Sequence, residues 1–169
     1  MIMVKKLASA IVVFIALTGA ALAQSPTLIK KFNAWGAYSY TSPEDGKVCY
    51  ILSVPTDKEP TNVNHGDNFF LISRRTGQDA GYEPQAMMGY PLRQDSKVTV
   101  NVDGQDFVLL TQNESAWVEN IAEEPALVAA MRAGTTMSVK ATSQRGTNTT
   151  YTYSLSGVTA ALQEIQSCN

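Results

Sequence analysis

Asp103-Gly104 separates two runs of alternating apolar and polar residues, 97–102 (KVTVNV) and 105–111 (QDFVLLT). A two-residue connection of type I′ needs positive φ at both positions, and Asp-Gly accepts that at low cost, so the stretch predicts an antiparallel hairpin. A lone hairpin is marginal in water and needs further strands beside it. Apolar or aromatic-rich runs supply them at 34–40 (AWGAYSY), 47–54 (KVCYILSV), 68–74 (NFFLISR) and 85–90 (QAMMGY). Turn clusters such as Ser42-Pro43-Glu44-Asp45-Gly46 lie between these runs. Residues 116–120, with Trp117, extend the sheet, and 136–142 with 150–155 form a second hairpin around Arg145-Gly146.

Two helices join the strands. Residues 123–133 carry Glu123 and Glu124 at the start, Pro125 in the first turn, Arg132 at the end and Gly134 after it. Leu127, Val128 and Met131 give that helix its apolar stripe. Ser156 is placed to cap a second helix over 157–166, with Val158, Leu162 and Ile165 on one face. This order predicts a mainly β, single-domain antiparallel β-sandwich or flattened barrel of about eight strands, with two short helices near the C-terminus.

The first 23 residues read as a secretory signal peptide. Lys5 and Lys6 precede an apolar run, 7–17, and Ala21-Leu22-Ala23 offers small residues for cleavage between Ala23 and Gln24. The run is too short to cross a bilayer as a helix. The organisation expected is therefore residues 1–23 as signal peptide, 24–31 as a flexible polar leader and 32–169 as the β domain. Gln24 stands where a lipoprotein carries its lipidated cysteine. The full chain has 13 Lys+Arg against 15 Asp+Glu, and loss of Lys5 and Lys6 leaves the mature chain more acidic. Nucleic acid is thus a poor partner, since phosphate binding needs clustered basic residues. The mature chain has no second long apolar run and no transmembrane segment is expected in it.

Both cysteines, Cys49 and Cys168, follow the cleavage site. An even count in an exported chain favours a disulfide over two free thiols, and the absence of Cys-x-x-Cys argues against a redox pair. A search for chemistry finds little beyond this. The single histidine, His65 in Asn64-His65-Gly66-Asp67, reads either as a base oriented by Asp67 or as an exposed loop residue, and the second is favoured. One histidine and two distant cysteines do not make a metal site, so no metal or cofactor is expected. Glu44/Asp45 and Glu123/Glu124 sit in a turn and at a helix start, where solvated or dipole-favoured acids belong. Arg74 and Arg75, with Arg93 and Lys97, read as a small anion-binding or interaction surface, or as a solvated strand end and ion pairs. Trp35 and Trp117 are expected in the core rather than as ligand-stacking surfaces.

Several segments, in order, resemble the invasion-associated locus B family of exported bacterial proteins. They are Cys49-Tyr50-Ile51, Phe69-Phe70 through Arg74-Arg75, Gly89-Tyr90-Pro91-Leu92 and 126–134 (ALVAAMRAG). They continue with 137–140 (MSVK), Ser143-x-Arg145-Gly146-Thr147 and 153–162 (YSLSGVTAAL). The resemblance covers roughly 32–168 and is most specific in the C-terminal half. It implies a periplasmic or outer-membrane-associated β-sandwich and, in some pathogens, an association with invasion of host cells such as erythrocytes. It brings no catalytic or ligand residues; Gly146, Gly157 and Leu162 would serve as hairpin turn, helix start and core. Extra cysteines that many members carry near the first tryptophan are missing here after Trp35.

The function expected is that of an exported, non-enzymatic protein, periplasmic, outer-membrane-associated or secreted. It would act by binding an unknown protein or envelope partner, or a host-cell surface. A small apolar-ligand carrier, with Tyr151, Tyr153 or Trp117 facing a cavity, is the alternative. A hydrolase using His65 comes third.

Overall fold

The computed structural model describes residues 25–44, 46–75 and 80–168. The signal peptide and the Ala23/Gln24 junction lie outside the described residues. Eleven strands form one antiparallel sheet: β1 (Thr27–Phe32), β2 (Trp35–Ser42), β3 (Gly46–Ser53), β4 (Asp57–Glu59), β5 (Phe69–Arg75), β6 (Gly81–Met87), β7 (Lys97–Val102), β8 (Gln105–Gln112), β9 (Ser115–Val118), β10 (Thr136–Thr142) and β11 (Asn148–Ser154). Their order across the sheet is β1-β2-β3-β5-β6-β9-β8-β7-β10-β11-β4. Two helices, α1 (Glu124–Ala133) and α2 (Val158–Gln166), pack against it.

The expected mainly β class and the two helices are present, with eleven strands in place of about eight. The Asp103-Gly104 hairpin closes as expected, with Val102 facing Gln105 and φ of 46° and 99° at the two turn residues. The extra strands are the ones without an apolar alternation. Thr27–Phe32, read as polar leader for most of its length, pairs along β2 as an edge strand exposed on both faces, which leaves room for Lys30 and Lys31. β4 is three charged residues pairing with β11 at the other edge. β6 begins earlier than the sequence suggests and contains Pro84. Only Gln85–Met87 of β6 also pair with β9, so the missing N–H of Pro84 falls where one side of the strand is open.

The sheet folds over so that its two ends approach. Trp35 Nε1 donates to the Ser154 carbonyl at 3.0 Å, Ala34 N to Ser156 O at 3.2 Å and Thr56 N to Thr152 O at 2.7 Å. One face of nearly every strand lies inside: Trp35, Ile51, Phe70, Ile72, Leu109, Val139, Tyr151 and Tyr153 are fully buried. Leu127 and Met131 of α1 and Leu162 and Ile165 of α2 join them.

Cys49 in β3 and Cys168 after α2 form a disulfide, with Cα atoms 6.3 Å apart. Gly157, not Ser156, takes the N-cap of α2. It has φ of 96°, and a Cβ there would lie 2.0 Å from the Phe32 carbonyl oxygen, so close approach of β1 decides the residue. The Ser156 hydroxyl instead accepts from Asn33 Nδ2 at 3.0 Å.

Candidate functional site

Three segments distant in sequence meet at one end of the sheet: the loop before β5, Gly89-Tyr90-Pro91 after β6, and the β10–β11 turn. Gln144 N donates to Pro91 O at 2.8 Å, Arg93 N to Thr142 O at 2.9 Å, and Leu92 bridges Ser143. The turn is held internally by Gly146 N to Ser143 O and by Thr147 N to Ser143 Oγ. On the other side Gly66 and Gly89 touch backbone to backbone. Their φ angles are 60° and 65°, and a Cβ on Gly66 would meet Gly89 O at 2.4 Å. Between these walls lies a cleft of about 450 Å³, lined among others by His65, Tyr90, Arg145, Thr147 and Thr149.

His65 forms the polar floor. The sequence suggested an exposed loop residue, whereas His65 is 9% exposed. Asn64 Oδ1 accepts from Gly66 N, and Asn68 Nδ2 donates to His65 O, which turns the loop inward. Asn68 Nδ2 also reaches Met88 O. The His65 ring spans Pro60 O, 2.9 Å from Nε2, and the Tyr151 hydroxyl, 2.8 Å from Nδ1. A carbonyl only accepts, so in the neutral ring Nε2 carries the proton and Nδ1 accepts from Tyr151. Tyr151 continues to the Tyr90 hydroxyl at 3.2 Å, and Tyr90 to Thr149 Oγ1 at 2.6 Å. Pro60, not Asp67, therefore orients the imidazole. Both ring nitrogens are engaged, and neither faces a serine or cysteine nucleophile.

Burial, followed by the hydrogen bond shared with the Tyr90 hydroxyl, raises the Tyr151 hydroxyl well above the ordinary tyrosine value of 10.0. Burial also raises Tyr153, whose hydroxyl has no hydrogen-bond partner among the described residues. Because the folded state keeps a proton that the unfolded chain releases above about pH 10, this contribution is intact at neutral pH. It is lost as the pH rises past the unfolded value. Tyr153→Phe is expected to change stability at pH 7 by less than about 1 kcal/mol, or to raise it, because no bond is lost. It also delays alkaline unfolding. Urea unfolding at pH 7 and pH 11 measures both, and a loss above about 2 kcal/mol at pH 7 would reveal a partner for the hydroxyl.

The structure distributes the arginines to separate places. Arg74 points inward and donates to the carbonyls of Ile165, at 3.4 Å, and Cys168, at 2.8 Å, at the end of α2. Arg75, on the opposite face of β5, pairs with Glu83 at 3.2 Å and with the buried Glu124 at the start of α1. Arg93 is exposed and its guanidinium lies against Gly146, in the turn that carries Arg145 into the cleft lining. Lys97 pairs with Glu119. Trp35 is core as expected, whereas Trp117 lies half-buried on the outer face of the sheet. Tyr151 and Tyr153 are packed inside and line none of the principal clefts. Among the described residues, no group of three or more His, Cys, Asp or Glu is placed to hold a metal ion, and no helix is long and apolar enough to cross a membrane.

The family described as invasion associated locus B (IalB) protein matches residues 35–166. The chain belongs to this family. A solved structure, invasion associated protein B from Bartonella henselae, is similar with a TM-score of 0.57 and 16% identity, over 83% of this chain and 96% of that one. At that identity the likeness concerns the fold. No curated protein sequence matches the chain.

The cleft of this IalB-family chain falls wholly inside the matched segment, whereas β1 precedes it. Its walls are the Gly89-Tyr90-Pro91-Leu92 and Ser143-x-Arg145-Gly146-Thr147 segments on which the family resemblance rests. Sequence reasoning treated these as separate fold elements. Their convergence, and the 86 positions between His65 and Tyr151, have no local signal.

Proposed function

We propose that this IalB-family protein is exported to the bacterial envelope and acts there by binding, with the cleft between Gly66, Gly89-Tyr90-Pro91 and the 143–147 turn as its contact site. The observation that carries the reading is the convergence of two family segments on one cleft, which a purely structural role for either would not require. Arg145 in its lining, with the Arg93 guanidinium against the same turn, favours a partner that offers carboxylate or phosphate groups, since guanidinium forks suit both. The signal-like start and the Cys49–Cys168 disulfide support an oxidising compartment outside the cytoplasm. The engaged ring of His65 supports binding over hydrolysis, and the filled interior around Tyr151 and Tyr153 weighs against an apolar-ligand carrier.

A photo-crosslinking residue at Arg145 in the full chain, expressed in a Gram-negative host, tests this. An adduct with an envelope component is expected from position 145 and not from Asn101, on the polar outer face of β7. The adducted protein should begin at Gln24. Equal adducts from both positions, or none from 145, would overturn the cleft. A product retaining residues 1–23 in the cytoplasm would overturn export.

A further inference from the structure

An antiparallel sheet that packs on one core is expected to show polar residues on its other face. Half of this sheet does. Outward from β7 toward β4, Thr99, Lys140, Thr150 and Glu59 face one another in register. The other half does not. Leu52 of β3 pairs with Leu71 of β5, Leu71 with Gln85 of β6, Gln85 with Trp117 of β9 and Trp117 with Leu110 of β8. Flanking this row on the same face are the Tyr38–Tyr50 pair, stacked at 5.5 Å, and the Phe69–Met87 pair. The residues between them, such as Ile51, Phe70 and Leu109, are the ones that fill the core. β3 and β5 are thus apolar on both faces. α2 and the disulfide lie on the inner side, α1 reaches the border of the outer face through the Glu124–Arg75 pair, and the outer row is half-buried, with Leu110 43% exposed.

We infer that this outer face, over β2, β3, β5, β6, β9 and β8, is the interface of a homodimer in which two copies stack sheet on sheet. Size, composition and shape favour a second copy. Six strands about 4.8 Å apart, with three outward residues each, give a footprint on the order of 500 Å². Two copies would bury about 1,000 Å², the lower bound for a specific interface. The centre of the row is free of charge and carries Trp, Tyr, Phe and Met, as interface cores do. Along the row charges appear only at its ends, with Lys31 beside Gly36 and Lys97 beside Leu110, and on the same face Arg75 and Glu83 neutralise each other at the border. The face is made of strands hydrogen-bonded side by side, which suits another sheet stacked about 10 Å away. A two-fold axis lets each copy supply the same patch.

Sedimentation velocity of the mature, oxidised protein from about 1 to 200 μM is expected to show a monomer–dimer equilibrium, with Trp117 fluorescence shifting to the blue as dimers form. Trp117→Lys is expected to raise the dissociation constant by about 30-fold or more, as loss of a central tryptophan does. Leu110→Lys, at a more exposed position and so safer for folding, raises it in the same direction. Thr99→Lys on the polar half leaves it unchanged. Gln85→Cys, near the centre of the row, is expected to give a disulfide-linked dimer, and Thr99→Cys is not. A monomer at every concentration would overturn the inference. So would a dimer indifferent to both Trp117→Lys and Leu110→Lys in variants with unchanged circular dichroism. Co-sedimentation of a monomer with lipid vesicles, abolished by the same variants, would assign the face to a membrane instead.

Discussion

Reducing the Cys49–Cys168 disulfide, or replacing Cys168 by serine, is expected to lower the stability to unfolding by about 2–5 kcal/mol. The bond joins positions 119 apart, so its removal frees nearly the whole described chain in the unfolded state. The native state loses something specific as well. α2 has nine residues, too few for a helix that persists alone, and it is held by the burial of Val158, Ala161, Leu162 and Ile165 and by the bridge at its end. Without the bridge, what anchors this end is the pair of bonds from Arg74 to the carbonyls of Ile165 and Cys168. Urea unfolding of oxidised and reduced protein, with the slope compared as well as the midpoint, measures the difference. A change below about 1 kcal/mol would show that α2 docks without help from the covalent tie.

Gly89→Ala is expected to cost about 3–4 kcal/mol, combining left-handed strain with overpacking. Its φ is 65°, and a Cβ would stand 2.6 Å from both the nitrogen and the oxygen of Asp67, which belong to backbone and cannot rotate away. Gly104→Ala supplies the control. That residue also has positive φ, at 99°, but nothing lies within 4 Å of its added carbon, so strain of about 1 kcal/mol is the whole effect. Thermal or urea unfolding of the two variants side by side separates conformational strain from close approach. Equal losses would mean that the loop over His65 yields to Gly89 without resistance. A larger loss for Gly89→Ala would mean that the wall of the cleft and the stability of the domain depend on the same backbone contact.

The contrast between those glycines also marks how far local sequence reaches. Gly104 was legible because a hairpin turn is a short-range event, fixed by two residues and the alternation on either side. The same is true of α1, whose proline, acids and apolar stripe all lie within one segment. β1 and β4 were not legible, since an edge strand needs a backbone partner and not an apolar alternation. Ser156 looked like the helix cap until Phe32, brought in by β1, left room only for glycine next door. His65 looked exposed because Asn64, Gly66 and Asp67 make a polar loop, while its burial depends on Tyr151 and Pro60. Arg74 and Arg75 looked like one patch, but adjacent residues of a strand face opposite ways, and one serves α2 while the other serves α1.

Both borders of the sheet are poor templates for growth. β1 carries Lys30 and Lys31 and breaks register between Leu28 and Lys30, and β4 ends the other side after Asp57, Lys58 and Glu59. Such borders discourage a neighbouring chain from adding itself as a further strand. A protein that is crowded with copies of itself can therefore meet them broadside in pairs, which closes, without lining up rim to rim into a fibre, which does not.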